Sequence, residues 1–300
     1  MLAVTFFLFV TRLNIGADWI NYRKIFNHEV PYHGELFWHI FFINELGPQL
    51  GFRAFIIVQS FLYLIPLLYI AKKEENFSLG IFLSMALYSG FIIIGNGALR
   101  QSVACSLFFL TYYLYLNRSK YTIHASIPAV LFHFSGFVSL GIPLLNKFEN
   151  KFEKYLKYSP IFIFILFFAF RMLNVSFGYG HHFSKGTIFR AIFLLANLLI
   201  IYKFVIEKYK RIAILVSINI IALALVSYIF NYTTLVDRMF LYLVFPISFH
   251  ATQLLLEKKK KSYFYMFSVF QLIFLIVWYK FSNISDFFHY KNLFFSSLTF

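Results

Sequence analysis

The sequence is a succession of apolar runs of near-spanning length separated by short polar loops, and that spacing leaves few folds open. The runs are Leu2 to Leu13, Phe52 to Ala71, Leu79 to Ile94, Leu99 to Leu116, Tyr121 to Leu145, Pro160 to Val175, Ile188 to Ile206, Ile212 to Phe230, Met239 to Leu256 and Tyr263 to Phe281. A helix crosses a bilayer with about 17 to 25 apolar residues, and only the first run falls well short. Lipid offers no partner to backbone N–H and C=O groups, so each crossing segment must satisfy its own, as a helix does. The expected fold is all-α, a polytopic integral membrane helix bundle of about nine to ten segments, in a single transmembrane domain over 1–300.

Composition excludes the soluble alternatives. Charged residues make up 13% of the chain, against about 25% in a soluble domain. The 44 Phe residues must serve both lipid-facing and helix-packing surfaces, because lipid is already apolar. The net charge of +15 invites a nucleic-acid partner, but Lys and Arg fall mainly in short loops between apolar runs, as cytoplasmic loops require. No nucleic acid is therefore expected. Cys105 lies inside an apolar run and has no second cysteine to pair with. Met1 to Val10 lacks a basic n-region and a small-residue cleavage site, so it reads as a short spanning piece and not a signal peptide.

Orientation follows from the basic loops: Lys72-Lys73, Arg118 with Lys120, Lys147 to Lys157, Lys203 to Arg211 and Lys258 to Lys261. Simple alternation cannot put all of them on one side if Tyr121 to Leu145 crosses once. A re-entrant hairpin turning near His133-Phe134-Ser135-Gly136 removes the conflict. Each half would reach roughly 18 Å, about mid-membrane. All basic loops then become cytoplasmic, and the outer face receives Gly95 to Gly97, Asn174 to Gly186, Asn231 to Asp237 and the long polar stretch 14–51. Within that stretch Leu36 to Leu46, carrying Trp38 and His39, reads as an interfacial helix.

Intramembrane and outer-face polar groups then converge. They are Arg12, Asp18, Arg23, Glu35, Arg53, Arg100, Gln101, Arg171, His181, His182, Arg190, Asp237 and Arg238, with His133 entering from the other side. Arg100 and Gln101 open an otherwise apolar segment, where a guanidinium is costly unless it snorkels, pairs or binds an anion. Asp18, Glu35 and Asp237 are candidate acid or base groups; as alternatives, Asp18 caps a helix starting at Trp19 or Ile20 and Asp237-Arg238 forms a cap plus interface anchor. His181-His182 is a weak metal signal, since adjacent histidines point apart and no third ligand is suitably spaced; no metal and no cofactor are expected. Several arginines on one face outnumber the three carboxylates. Such a surplus suits an anionic ligand, since guanidinium forks bidentately onto phosphate.

Short motifs now agree in order and spacing with a known family: Gly16-Ala17-Asp18 followed by Tyr22 and Phe26, Glu35 before an aromatic run, Asn96 ahead of Arg100-Gln101 with Ala104, Phe132-His133 with Ser135, and Arg238 followed by Phe240 and Tyr242. The chain resembles the EpsG family, membrane proteins associated with bacterial exopolysaccharide and capsule synthesis and similar to Wzy-type polysaccharide polymerases. Two departures stand out. Glu35-Leu36-Phe37 occupies the place of a usual Pro-Gly, and the run before the Gly-Asp motif is short, so the first helix is expected to be truncated.

The resemblance implies transfer of a growing glycan from an undecaprenyl-pyrophosphate carrier to a sugar hydroxyl of another lipid-linked unit, at the outer face of the bacterial cytoplasmic membrane. Arg100 is the leading pyrophosphate clamp, Arg238 the second, and Arg12 and Arg190 lesser candidates. Gln101 would orient an oxygen, with Glu35 and Tyr22 also on the substrate. Asp18 is the first candidate base and His133 the next. Expected partners are the lipid-linked oligosaccharide, membrane lipids and other exopolysaccharide synthesis proteins. The rival readings are a flippase or transporter of the same lipid-linked sugar, a ligase-type transferase, an acyltransferase, and a structural or regulatory membrane subunit.

Overall fold

A computed structural model describes residues 12–13, 19–27, 29, 47–74, 99–148, 151–173, 184, 186–258, 261–281 and 291–292. Asp18, Glu35, the runs 79–94 and 36–46, and His181-His182 lie outside the described residues. The architecture is helical: α1 (Trp19–Phe26), α2 (Gly47–Lys73), α3 (Leu99–Leu116), α4 (Thr122–Phe132), α5 (Val138–Phe148), α6 (Phe152–Met172), α7 (Gly186–Phe204), α8 (Glu207–Ile229), α9 (Thr233–Glu257) and α10 (Lys261–Phe281). The extended pairing among the described residues is a two-residue bridge, Arg12–Leu13 with Lys291–Asn292.

Five helical stretches among the described residues are long and apolar enough to cross a membrane: Gly51–Lys73, Phe152–Met172, Gly186–Phe204, Tyr209–Ile229 and Thr233–Glu257. The protein is therefore a membrane protein, with fewer such helices described than the nine to ten segments expected. Part of the difference is physical. Helix α3 has the expected bounds, but Arg100 and Gln101 occupy its first turn. Tyr121 to Leu145 is not one helix: α4 and α5 are 11 residues each, separated by a 3-10 turn at Phe134–Phe137. Helices α6 and α9 also start earlier than their apolar runs, at Phe152 and Thr233.

The chain divides into two compact units. One holds α1 to α4, the start of α5 and the second half of α10; the other holds the remainder of α5, then α6 to α9 and the first half of α10, the division falling between Phe270 and Gln271.

In the first unit α3 is central. Residues Gln101 to Ser106 are all buried, and the small side chains of Ser102, Ala104, Cys105 and Ser106 let neighbouring backbones approach closely, as lipid-embedded helices require. Gln59 Nε2 donates to Ser102 Oγ at 2.8 Å, and Glu74 at the end of α2 engages the Tyr113 hydroxyl. Helices α2 and α3 thus run parallel, both finishing at a basic end marked by Lys72, Lys73 and Arg118. The turn at Asn117–Tyr121 sends α4 back along α3.

In the second unit α9 is central: 67% of its most apolar window is buried, against 6% for α6. Glu153 meets Arg211 (2.6 Å), Asn219 Nδ2 donates to the Leu156 carbonyl (2.9 Å), and Phe164 and Phe168 meet Phe230. Helices α6 and α8 are therefore parallel. Thr187 on Thr233 and Arg190 on Asp237 make α7 and α9 parallel, while Lys203 against Tyr263 and Phe193 against Phe270 set α10 antiparallel to α7. The helices alternate, and one end of the unit collects Lys151, Lys154, Lys157, Lys203, Lys210, Arg211 and Lys258. Phe serves both surfaces, as expected: Phe162 is 65% exposed, Phe240 and Phe245 are fully buried.

Candidate functional site

Arg100 is the first side-chain group of α3 able to hold an anion, and α1 supplies its support. Helix α1 has only eight residues, too few to persist alone in water, and aromatic contacts fix it to the start of α2. Tyr22 stacks on Phe55 with ring centroids 5.3 Å apart; Phe26 meets Phe52 and Phe55, each at 5.2 Å. Tyr22 is 3% exposed, and the Arg100 guanidinium carbon lies 5.4 Å from its ring centroid. This is cation–π geometry, which orients a guanidinium without neutralising it. Gln101, 1% exposed, follows at once, and the Gln59–Ser102 bond ties the same turn to α2. Arg53 is half-buried in the first turn of the spanning part of α2. Arg100, Gln101, Tyr22 and Arg53 therefore gather at the end of the first unit away from Lys72, Lys73 and Arg118.

His133 stands at the break between α4 and α5, 5% exposed. Its backbone is extended (φ −159°, ψ 134°), ending α4, and its ring caps the 3-10 turn: Nδ1 accepts from the Ser135 amide at 3.1 Å and lies 2.6 Å from Ser135 Oγ. The chain then doubles back. A Cβ on Gly136 would overlap the Ala129 carbonyl, backbone against backbone, so only glycine fits there. Ser139 Oγ donates to the carbonyls of Ser126 (2.7 Å) and Gly136 (2.6 Å). The reversal falls where the sequence places it, at His133 to Gly136.

The second unit carries the other arginines. Arg190, in the second turn of α7, forms an ion pair with Asp237 in the second turn of α9, with side-chain exposures of 13% and 12%. Thr187 Oγ1 donates to the Thr233 carbonyl (2.7 Å), and the Ser184 amide donates to Thr233 Oγ1 (2.8 Å). A Cβ on Gly186 would stand 2.7 Å from Asp237 Oδ1 and 2.8 Å from Arg190 Nη1; the missing side chain is what admits the pair. Asp237 is thus not a helix cap, because α9 already starts at Thr233 after Tyr232. Arg238 follows it, half-buried. Of Arg12 only the backbone pairing with Asn292 is described.

Each unit thus assembles part of the expected set: Arg100, Gln101 and Tyr22 in the first, Arg190 beside Asp237 and Arg238 in the second, with His133 placed on the α4–α5 break. Sequence reasoning did not foresee the Arg190–Asp237 pair or the roles of Gly186 and Ser135. A Gly four residues before an Arg carries no signal of its own. His133 with Ser135 did lie in one of the five short motifs of the sequence.

The sequence model of the EpsG family matches residues 1–292. The chain belongs to the EpsG family. No curated protein and no solved structure matches it. Membership in the EpsG family marks an exopolysaccharide-related membrane protein and accounts for the agreement among the five motifs, each weak alone.

Proposed function

We propose that this protein is a polysaccharide polymerase that joins lipid-linked oligosaccharide repeat units at the outer face of the bacterial cytoplasmic membrane. The observation that carries the reading is the seat of Arg100: a guanidinium oriented on the Tyr22 ring at the start of a buried helix, at the opposite end from the lysines. EpsG membership supplies the exopolysaccharide context.

In the reaction the acceptor sugar hydroxyl attacks the anomeric carbon of the growing chain. A new C–O bond forms, the bond to the carrier pyrophosphate breaks, and the hydroxyl proton passes to a base. Arg100 stabilises the charge developing on the departing pyrophosphate. Gln101 orients an oxygen, and Arg238 is the second clamp candidate. Asp18 remains the leading base and Glu35 a substrate contact. Arg190 is engaged by Asp237, so a phosphate would have to displace a carboxylate to reach it, and it stays a lesser candidate with Arg12.

The test is polymer analysis in a deletion strain complemented with Arg100→Ala and Arg100→Lys. Both variants should reach the membrane and make no polymer, since Lys offers neither the fork nor the flat face. Normal polymer from either overturns the clamp. Purified protein in proteoliposomes should lengthen a lipid-linked oligosaccharide; translocation without lengthening would support the flippase reading instead.

A further inference from the structure

The basic end of the second unit carries an ammonium whose place is fixed by a neighbouring helix. Lys203, in the last turn of α7, donates to the Tyr263 hydroxyl of α10 at 3.0 Å and lies 4.5 Å from the centroid of that ring. An aromatic face orients a cation without neutralising it. An ammonium has three N–H donors, so the hydroxyl takes one and two remain. The carboxylates described at this end are matched by other cations: Glu207 pairs with Lys210 and Glu153 with Arg211, each at 2.6 Å, and exposed Glu257 stands next to exposed Lys258. The surface adjoining the Lys203–Tyr263 pair is apolar. Leu199 lies four residues before Lys203 and Met266 three after Tyr263, so each shares a helix face with its member of the pair. Both stand one turn further into the apolar span, and they are 68% and 67% exposed. Phe204 and Phe264, next in sequence to the pair, pack on buried Ala251, Leu255 and Phe267, which holds the two helix ends together.

We propose that this corner of α7 and α10 is a seat for an anionic phospholipid, with its phosphate at Lys203 and its acyl chains along Leu199 and Met266. The phosphate oxygens accept from the remaining N–H groups of the ammonium, which the Tyr263 ring and hydroxyl hold in place. A free phosphate would satisfy the ammonium and leave the apolar strip bare, and so would an acidic protein segment. A phospholipid covers both, because its charge and its hydrocarbon are joined at the depth where a lysine ends an apolar helix. The seat lies in the other unit from Arg100 and does not rest on the polymerase reading.

The experiment is lipid retention, read by native mass spectrometry of the full chain released from neutral detergent. Offered phosphatidylglycerol and phosphatidylcholine with the same acyl chains, the wild type should hold the anionic lipid more tightly by roughly fivefold, the scale of one lysine near an anionic headgroup. Soluble glycerol phosphate should not compete. Lys203→Gln should erase that preference and leave phosphatidylcholine retention unchanged; Lys203 is exposed, so the melting midpoint in detergent should not move. Lys154→Gln removes the same charge from α6, which packs against α8, and should behave as the wild type. Equal retention of the two lipids by the wild type would overturn the seat without recourse to any variant. Equal losses from Lys203→Gln and Lys154→Gln would reduce it to diffuse attraction by the basic end. Competition by glycerol phosphate would make the ligand a free anion and remove the lipid from the proposal.

Discussion

Asp237 holds Arg190 in a setting where both side chains are nearly nine-tenths buried, so removing the carboxylate leaves a guanidinium with its main counter-charge gone. Breaking such a pair typically costs about 3 kcal/mol or more. Asp237→Ala should lower the unfolding midpoint of the detergent-solubilised protein accordingly, and an unchanged midpoint would show the pair to be dispensable. Gly186→Ala should act in the same direction, by about 1 to 3 kcal/mol, because its methyl would press on both partners. The double variant should lose less than the sum, since both changes damage one contact. Arg100, Gln101 and His133 were visible in the sequence because a polar group inside an apolar run needs a reason. The partner of Arg190 was not visible: 47 residues separate it from Asp237, and no local pattern links the two.

At the scale of elements, apolar runs reveal which helices exist but not where they start. Helix α6 begins at Phe152, ahead of the run at Pro160, because Lys154 and Lys157 reach the polar boundary while their backbone stays helical. Helix α9 takes in Asp237 and Arg238 because Arg190 neutralises the first. The reversal at His133 was legible through its Ser-Gly pair, whereas the crossing of α6 and α8 was not. That crossing depends on Asn219, whose Nδ2 donates to the Leu156 and Leu215 carbonyls while Oδ1 accepts from Ser159 Oγ. Asn219→Leu should cost about 0.6 to 2 kcal/mol, read as a lower midpoint in detergent titration, and no shift would mean that packing alone fixes α6. Gly136→Ala should be more damaging, since neither backbone at the reversal can give way; wild-type stability there would contradict the close approach.

For the whole molecule, composition was enough to require a membrane bundle, but the division into two units left no mark in the sequence, where no linker separates them. Within the second unit the alternation of α6 to α10 and the lysines at one end predict sidedness by the positive-inside tendency. Cysteines placed at Lys157 and Lys258 should label from the cytoplasm, and ones at Leu173 and Asn231 from outside. Cys105 is fully buried, so the native thiol should stay silent in that assay. Labelling of Lys157 and Leu173 from the same side would overturn the crossing of α6. In the first unit, the parallel course of α2 and α3 has a consequence for biosynthesis. Gln59 leaves the ribosome 43 residues ahead of Ser102, about 2 to 9 seconds at ordinary elongation rates. During that interval α2 carries an amide into the insertion machinery before its partner on α3 exists, so release of α2 into lipid should wait for synthesis of α3. Ser102→Val would lengthen that wait, and α2 would be the segment that quality control meets first.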